Sequence, residues 1–303
     1  MKGQLVLSII LLLTFVSCRN GSERSGEFVF PEADSIPLSE AEKLSPEAIA
    51  DISRNISSPV EIANLLQTLE VPFSQDYLAS GIDAKRQNTA FDKAIKLGIL
   101  GADLGYVNMY EKTGSSLELV ASIRQLSEDL KVGQFFDFDL IKKLSQNKSN
   151  LDSLLFISLD SYTQIDNYLR SNDRGQLSAL MIIGVWLEGQ YFATQVAGQY
   201  PDDVLNDRIG EQKIILNDLI LLLSPYCKRD NEFEGLCSDL NSIRDKYRDI
   251  KITYTQGDPL SVEKDGRLEI VQTETSEVEM TPEQLNDIIE ITKDVRNKLI
   301  LNN

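Results

Sequence analysis

The feature that most constrains the fold is a series of helix-start signals, each followed by apolar residues spaced three and four positions apart. Ser58–Glu61 and Ser115–Glu118 are capping boxes, in which a Ser and the Glu three positions later each satisfy a backbone N–H of the first helical turn. Apolar residues at this spacing lie on one helix face and are buried together. The pattern predicts helices near residues 46–55, 59–69, 74–80, 84–112, 116–131, 137–147, 151–171, 176–199, 203–224 and 230–249.

Short polar connections separate these helices, and short connections make helices that follow each other in the chain antiparallel. Two long helices carry rows of small residues, Ala94, Gly98, Gly101 and Gly105 in the first and Gly189, Ala193 and Ala197 in the second. A Gly inside a helix costs about 1 kcal/mol relative to Ala, so the close approach of another helix must offset that cost. We therefore expect these two helices at the centre of the bundle. A ligand against the glycine face is the alternative.

The chain changes character after residue 250. Lys251–Thr255 alternates and is rich in β-branched residues, and Asp265-Gly266 between two further extended segments is a strong signal for a two-residue hairpin turn. Thr281–Gln284 is a cap for a final helix, whose predicted buried stripe consists of Leu285, Ile288, Ile289, Val295 and Leu299. The sequence predicts a mainly α-helical protein, a multi-helix antiparallel bundle of αα-hairpins with a small C-terminal β-hairpin and a terminal helix.

The N-terminus predicts export. Lys2, the apolar run Leu5–Val16 and the small residue Ser17 are typical of a secretory signal peptide, and the run is shorter than the roughly 20 residues of a membrane span. Cys18 directly after Ser17 resembles the lipobox of bacterial lipoproteins, although Phe15 stands where Leu is usual. The resemblance implies cleavage before Cys18 and diacylation of its sulfur. An ordinary signal peptide cleaved elsewhere is the alternative.

These features divide the chain into four predicted segments. They are a signal peptide at 1–17, the lipidated Cys with a flexible tether at 18–42, the helical bundle at 43–249, and the β-hairpin with the C-terminal helix packed on the bundle at 250–303. The tether is rich in Ser, Gly, Glu and Pro. No later apolar run approaches membrane length, so acyl chains on Cys18 are the predicted membrane attachment.

Charge and composition exclude several classes of function. The 303 residues include 30 Lys and Arg, 47 Asp and Glu and no His, giving a formal net charge of -17. An acidic surface repels phosphate, which excludes non-specific binding to nucleic acid. Without His, the chain has no Ser–His or Cys–His mechanism and no His-ligated metal site. The sequence also lacks phosphate-loop, dinucleotide-binding and EF-hand motifs, so we predict no cofactor and no metal.

Charged residues interrupt the two small-residue helices, at Asp103 in the first and Glu188 in the second. A buried carboxylate needs hydrogen bonds or a cation, which Arg170 or Arg174 just before the second helix would supply. One interpretation is a structural ion-pair and tyrosine network. The other is a polar ligand pocket, in which the two carboxylates act as a pair on a glycosidic bond. The pocket would be lined by Asp103, Tyr106, Tyr110, Arg174, Trp186, Glu188 and Tyr191.

Two smaller sets of residues have alternative interpretations. Cys227 and Cys237 flank a polar turn between two helices, and in an oxidising compartment we predict a disulfide between them, with two reduced thiols as the alternative. The acidic pairs Asp137/Asp139 and Asp202/Asp203 are interpreted as solvated surface rather than as Ca²⁺ ligands. The C-x-x-C motif typical of thiol exchange is absent.

Three further stretches together resemble a group of envelope lipoproteins from Bacteroidetes. They are Gly101–Tyr106, Tyr168-Leu169 with Asn172-Asp173-Arg174, and Trp186–Tyr191. The resemblance covers about residues 58–225. It implies an envelope location, most simply the periplasmic face of the outer membrane of a Gram-negative bacterium. It brings no activity and no catalytic residues to transfer.

We therefore expect a lipid-anchored envelope protein that acts as a non-enzymatic binding or scaffolding module. Its expected partners are the membrane, through Cys18, and an unidentified envelope protein or small ligand. The alternatives are a His-free envelope hydrolase that uses Asp103 and Glu188, and a purely structural envelope component.

Overall fold

The computed structural model describes residues 59–79, 82–144, 151–257, 260–264, 267–271 and 274–301. These residues are mainly helical, which confirms the predicted fold class. The helices are α1 (Pro59–Thr68), α2 (Ala90–Met109), α3 (Thr113–Asp129), α4 (Phe138–Leu144), α5 (Leu151–Ser171), α6 (Gly175–Ala197), α7 (Asp203–Leu223), α8 (Asn231–Lys246) and α9 (Pro282–Leu301). The predicted helix at 46–55, the signal peptide, the tether and Cys18 lie outside the described residues.

The helix predicted at 74–80 is wrong, and the helix predicted from 84 begins only at Ala90. Residues 75–77 form a single 3-10 turn, because side chains of α2 bind the backbone of this segment. The hydroxyl of Tyr106 accepts a hydrogen bond from the Ser74 N–H (2.9 Å). The start of α2 is set by Thr89, whose hydroxyl accepts from the backbone N–H of the third residue of α2 (3.0 Å).

The cap predicted at Thr281–Gln284 is confirmed, and the capping box predicted at Ser115–Glu118 is wrong. Ser58, the cap of the other predicted box, lies outside the described residues. At α9, Thr281 Oγ1 accepts from the Gln284 N–H (3.2 Å), and Gln284 Oε1 accepts from the Thr281 N–H (2.8 Å). At α3 the helix begins at Thr113, before the predicted box. Ser115, the predicted cap, therefore lies inside α3 as its third residue, and the hydroxyl of its buried neighbour Ser116 donates to Asn108 Oδ1 of α2 (2.9 Å).

The helices α2 and α6 form the centre of the helical body, as predicted from their small residues. Nearly every residue of α6 is buried. A Cβ on Gly98 of α2 would overlap the Met181 carbonyl, and one on Gly184 of α6 would overlap the Ile95 carbonyl, so backbone meets backbone here. By contrast, Gly101 is exposed, and a Cβ there would have no neighbour within 4 Å.

The two central helices run parallel. Gly98 lies against Met181, and further along both helices the ring of Tyr106 stacks on that of Phe192, with centroids 4.7 Å apart. The consecutive helices α2 and α3 are antiparallel, as predicted from their short connection. The Lys93–Asp129 ion pair joins the start of α2 to the end of α3. A parallel central pair is possible because α2 and α6 are separated by three helices in the chain.

The segment after α8 contains the predicted β-hairpin. The strands are β1 (Lys251–Gln256), β2 (Leu260–Lys264), β3 (Arg267–Val271) and β4 (Glu274–Glu279), with β1 paired to β4 and β2 antiparallel to β3. Lys264 pairs with Arg267 across the connection at Asp265-Gly266, whose own residues lie outside the description. Residues 254–276 belong to one compact unit, whereas α9 belongs to the unit that contains the helical body. Among the described helices, none is long and apolar enough to cross a membrane.

Candidate functional site

Asp103 and Glu188 meet at the interface of α2 and α6. They lie about one helical turn beyond Gly98 and Gly184, where the two backbones are in contact. Both side chains are completely buried, and their carboxyl groups interact directly. The sequence therefore identified a carboxyl pair correctly as a spatial feature. A glycosidase needs its two carboxyl groups in contact with the scissile bond, and these two expose no surface to a substrate.

The cation of the site is Arg296 of α9. Its Nε donates to Glu188 Oε2 (2.9 Å) and its Nη2 to Glu188 Oε1 (2.6 Å), which is a bidentate ion pair. The same Nη2 donates to the carbonyl of Tyr77 (3.0 Å), and the guanidinium lies 4.2 Å from the centroid of the Tyr191 ring. One side chain thus joins α9 to α6 and to the segment before α2.

Asp103 has a different environment from Glu188. Its Oδ2 accepts a hydrogen bond from the Ala79 N–H (3.0 Å), and its buried Oδ1 has no donor among the described residues. Burial raises the pKa of Asp103 well above its usual range, and the neighbouring Glu188 carboxylate raises it further. Burial also raises the pKa of Glu188, but the Arg296 guanidinium opposes that rise. Glu188 is therefore the better placed of the two to be ionised.

Tyrosines beside the carboxyl groups have structural partners. Tyr106 is completely buried between Phe73 and Phe192, and burial raises its pKa to about 12. Tyr110 donates its hydroxyl proton to the carbonyl of Val71 (2.9 Å). Tyr191 is almost fully buried beneath Arg296. These rings hold the segment before α2 against the central helices.

Two of the predicted pocket residues, Arg174 and Trp186, have other partners, and so does Arg170, the other candidate cation. Arg174 donates to the carbonyl of Leu130 (3.0 Å), and Arg170 pairs with Asp166 on its own helix (2.8 Å). Neither supplies the predicted cation for the carboxyl pair, because nearer partners occupy both. Trp186 points to α7, where its indole N–H donates to Gln212 Oε1 (2.9 Å).

Sequence reasoning missed Arg296. The residue lies 108 positions from Glu188 along the chain, and the two arginines before α6 were nearer candidates. One signal was present. Ile288, Thr292 and Arg296 follow each other at four-residue steps, which places a cation on the buried face of α9.

Cys227 and Cys237 form a disulfide bond with a Cα–Cα distance of 5.8 Å. The bond connects the 3-10 turn after α7 to α8, whose N-terminus is capped by Asp230. Asp230 Oδ1 accepts from the N–H groups of Glu232 (3.0 Å) and Phe233 (3.1 Å). The disulfide and the cap together fix the turn between the two helices.

The acidic pairs on the surface include helix caps. Asp137 Oδ1 accepts from the Leu140 N–H (2.9 Å), and Asp202 Oδ1 accepts from the Leu205 N–H (3.0 Å) at the start of α7. Within the part of the chain that the structure describes, no three His, Cys, Asp or Glu side chains are arranged to hold a metal ion.

The chain matches none of the protein families, curated proteins or solved structures with which it was compared. A function must therefore be argued from its own residues. The buried site has the geometry of a structural ion-pair network, with two carboxyl groups, one guanidinium and the ring of Tyr191 against the guanidinium.

Proposed function

We propose that the chain is a lipid-anchored protein of the cell envelope, acting as a non-enzymatic binding or scaffolding module. The observation that carries this proposal is Cys18, which follows a short apolar run and Ser17. A thioether-linked lipid on this Cys, with a tether of about 25 residues, would hold the folded body near a membrane.

Two further properties of the chain support the proposal. The Cys227–Cys237 disulfide is of the kind that persists in an oxidising compartment such as the periplasm. The net charge of -17 argues against electrostatic attraction to anionic lipids, so an acyl anchor is the better explanation for membrane attachment.

The burial of the carboxyl pair favours a binding module over an enzyme. Asp103 and Glu188 were the best candidates for catalysis without His, and both are closed off from solvent. Four large apolar side chains are exposed among the described residues, Leu117, Tyr200, Val204 and Leu301, and two of them, Tyr200 (44%) and Val204 (60%), lie together near the connection between α6 and α7. A partner that covers this connection would bury apolar surface.

The anchor is tested by replacing Cys18. Cells expressing the wild type or Cys18→Ala are fed an alkyne-labelled fatty acid, and the protein is located by membrane fractionation. We expect the wild type to be labelled and in the membrane fraction, and Cys18→Ala to be unlabelled and soluble or unprocessed. The double variant Cys227→Ala/Cys237→Ala is the matched control and retains the label. Unchanged labelling and fractionation of Cys18→Ala would refute the anchor.

The binding role is tested separately in intact cells. A photo-crosslinking amino acid is placed at Tyr200 or Val204, and at the exposed residue Glu283 of α9 as a control. We expect a discrete crosslinked species from the first two positions that is lost with Cys18→Ala. Absence of any species at Tyr200 and Val204, or an identical pattern from Glu283, would contradict a binding surface at this connection.

A further inference from the structure

The buried cluster has an unbalanced set of charges. Asp103, Glu188 and Arg296 are all buried, and with both carboxyl groups ionised the cluster would carry two negative charges and one positive charge. An uncompensated charge inside a protein costs several kcal/mol, so buried groups change their protonation state instead. The balance is restored when one of the two carboxyl groups keeps its proton.

Hydrogen bonds decide which carboxyl group keeps the proton. Both oxygens of Glu188 accept from Arg296, which favours the ionised form of Glu188. Asp103 Oδ2 accepts from the Ala79 N–H, its buried Oδ1 has no donor among the described residues, and its carboxyl group interacts with that of Glu188. A proton on Asp103 Oδ1 would supply the missing hydrogen bond, with Glu188 as its acceptor.

We propose that the cluster is a proton-binding site, in which Asp103 retains one proton at neutral pH and donates it in a hydrogen bond to Glu188. The proton allows α2, α6, α9 and the segment at Tyr77–Ala79 to meet without a net buried charge. The proton is taken up from water as the chain folds and is released when it unfolds.

The titratable groups around the cluster come from each element packed against it. Glu188 and Tyr191 belong to α6, and Arg296 belongs to α9. The segment before α2 contributes Tyr77, whose carbonyl accepts from Arg296, and the more distant Asp76, which raises the pKa of both Tyr77 and Tyr191. Tyr106 of α2 is buried nearby with a raised pKa. The tyrosines are therefore neutral near pH 7, and Arg296 and Glu188 are the charges that face Asp103.

The proposal predicts a direction of pH dependence. The pKa of Asp103 is higher in the folded chain than in the unfolded chain, where it is about 3.9. Its contribution to stability is fully present below about pH 4 and is lost progressively as the pH rises towards the folded pKa. In this window the unfolding equilibrium constant changes by about tenfold per pH unit through this group alone.

The test compares the full chain in mild detergent with Asp103→Asn, which has the same shape and cannot ionise. The Asn amide would accept from Ala79 and donate to Glu188. We expect the two proteins to differ increasingly as the pH rises from about 4 to about 7, with the unfolding constant of the wild type rising relative to that of Asp103→Asn by about tenfold per pH unit. Parallel pH profiles of the two proteins would overturn the proposal.

Infrared spectroscopy gives a second result, and its measurement on the wild type does not require the variant to fold. At pH 7 exposed carboxyl groups are ionised, so a carbonyl band of an un-ionised carboxylic acid reports a buried one. We expect this band in the wild type and in Asp129→Asn, a surface control, and its loss in Asp103→Asn. Absence of the band in the wild type would show that no carboxyl group keeps a proton, and its persistence in Asp103→Asn would assign the proton to another carboxyl group. Either result would overturn the proposal.

Discussion

The two central helices are joined in two different ways within about one turn of each other. At Gly98 and Gly184 the backbones touch, and the contact is complete with two helices and without any polar side chain. At Asp103 and Glu188 the same helices bring two carboxyl groups together, and the contact requires Arg296 from a third helix. The glycine contact forms because Gly98 and Gly184 have no Cβ atom. The charged contact forms because Arg296, which is distant in the chain, supplies the cation.

The largest expected effect is on the charged contact. Arg296→Met would leave Glu188 as a buried carboxylate without its cation and would remove the donor to the Tyr77 carbonyl. We expect a loss of about 3–5 kcal/mol in the free energy of unfolding. The measurement is urea unfolding at pH 7 followed by circular dichroism.

Two further variants test whether the loss in Arg296→Met comes from the unpaired buried charge. Lys298→Met on the same helix removes a half-exposed ion pair with Asp239, for which we expect a loss of about 0.2–1 kcal/mol. Glu188→Met combined with Arg296→Met leaves no unpaired buried charge from the ion pair and should be more stable than Arg296→Met alone. Equal losses for Arg296→Met and Lys298→Met would show that the buried ion pair contributes no more to stability than an ion pair at the surface.

The next effect is on the glycine contact. In Gly98→Ala the new Cβ would overlap the carbonyl of Met181, and α2 and α6 would have to move apart. We expect a loss of about 1–3 kcal/mol, even though Ala is the better helix former. Thermal unfolding measures it, and a stability equal to or above that of the wild type would show that the two backbones are not in close contact.

The glycine contact was only partly predictable from the sequence. Gly98 belongs to a row of small residues, which correctly places α2 at the centre of the bundle. Gly101 belongs to the same row but is exposed, because a step of three residues turns it by about 60° around the helix. Gly184 is not part of a row, since Leu180 and Glu188 flank it at four-residue spacing.

The charged contact shows a different limit of prediction. Asp103 and Glu188 stood out because a charge inside an apolar helix needs a partner, but nothing near them in the chain identifies Arg296 as that partner. The segment before α2 shows the same limit. Its residues predict a helix, and its backbone is held by Tyr106 and Asp103 instead. Local patterns predict helices well, whereas bonds between distant residues appear only in the folded chain.

Gly101→Ala tests the outer face of the same helix. A Cβ at Gly101 meets no atom within 4 Å, so the variant keeps all packing and gains helix propensity. We expect a gain of about 0.4–1 kcal/mol in thermal unfolding, opposite in sign to Gly98→Ala. A loss of stability would mean that another group covers this face, as the alternative of a ligand against the glycine row requires.

The smallest expected effect concerns the Lys93–Asp129 ion pair, which joins α2 to α3 at the surface (2.9 Å). The hydrogen bond from Lys93 lowers the pKa of Asp129, so this pair stabilises the fold above the unfolded pKa of about 3.9, and its contribution is lost as the pH falls. Asp129→Asn should cost about 0.2–1 kcal/mol at pH 7 and low salt, and nothing once Asp129 is protonated. The pH dependence is opposite to that of Asp103, because Asp129 is partly in solvent beside a cation and Asp103 is buried beside a carboxylate. If the cost of Asp129→Asn persisted in acid or were unchanged at high salt, the surface pair would act through packing rather than charge.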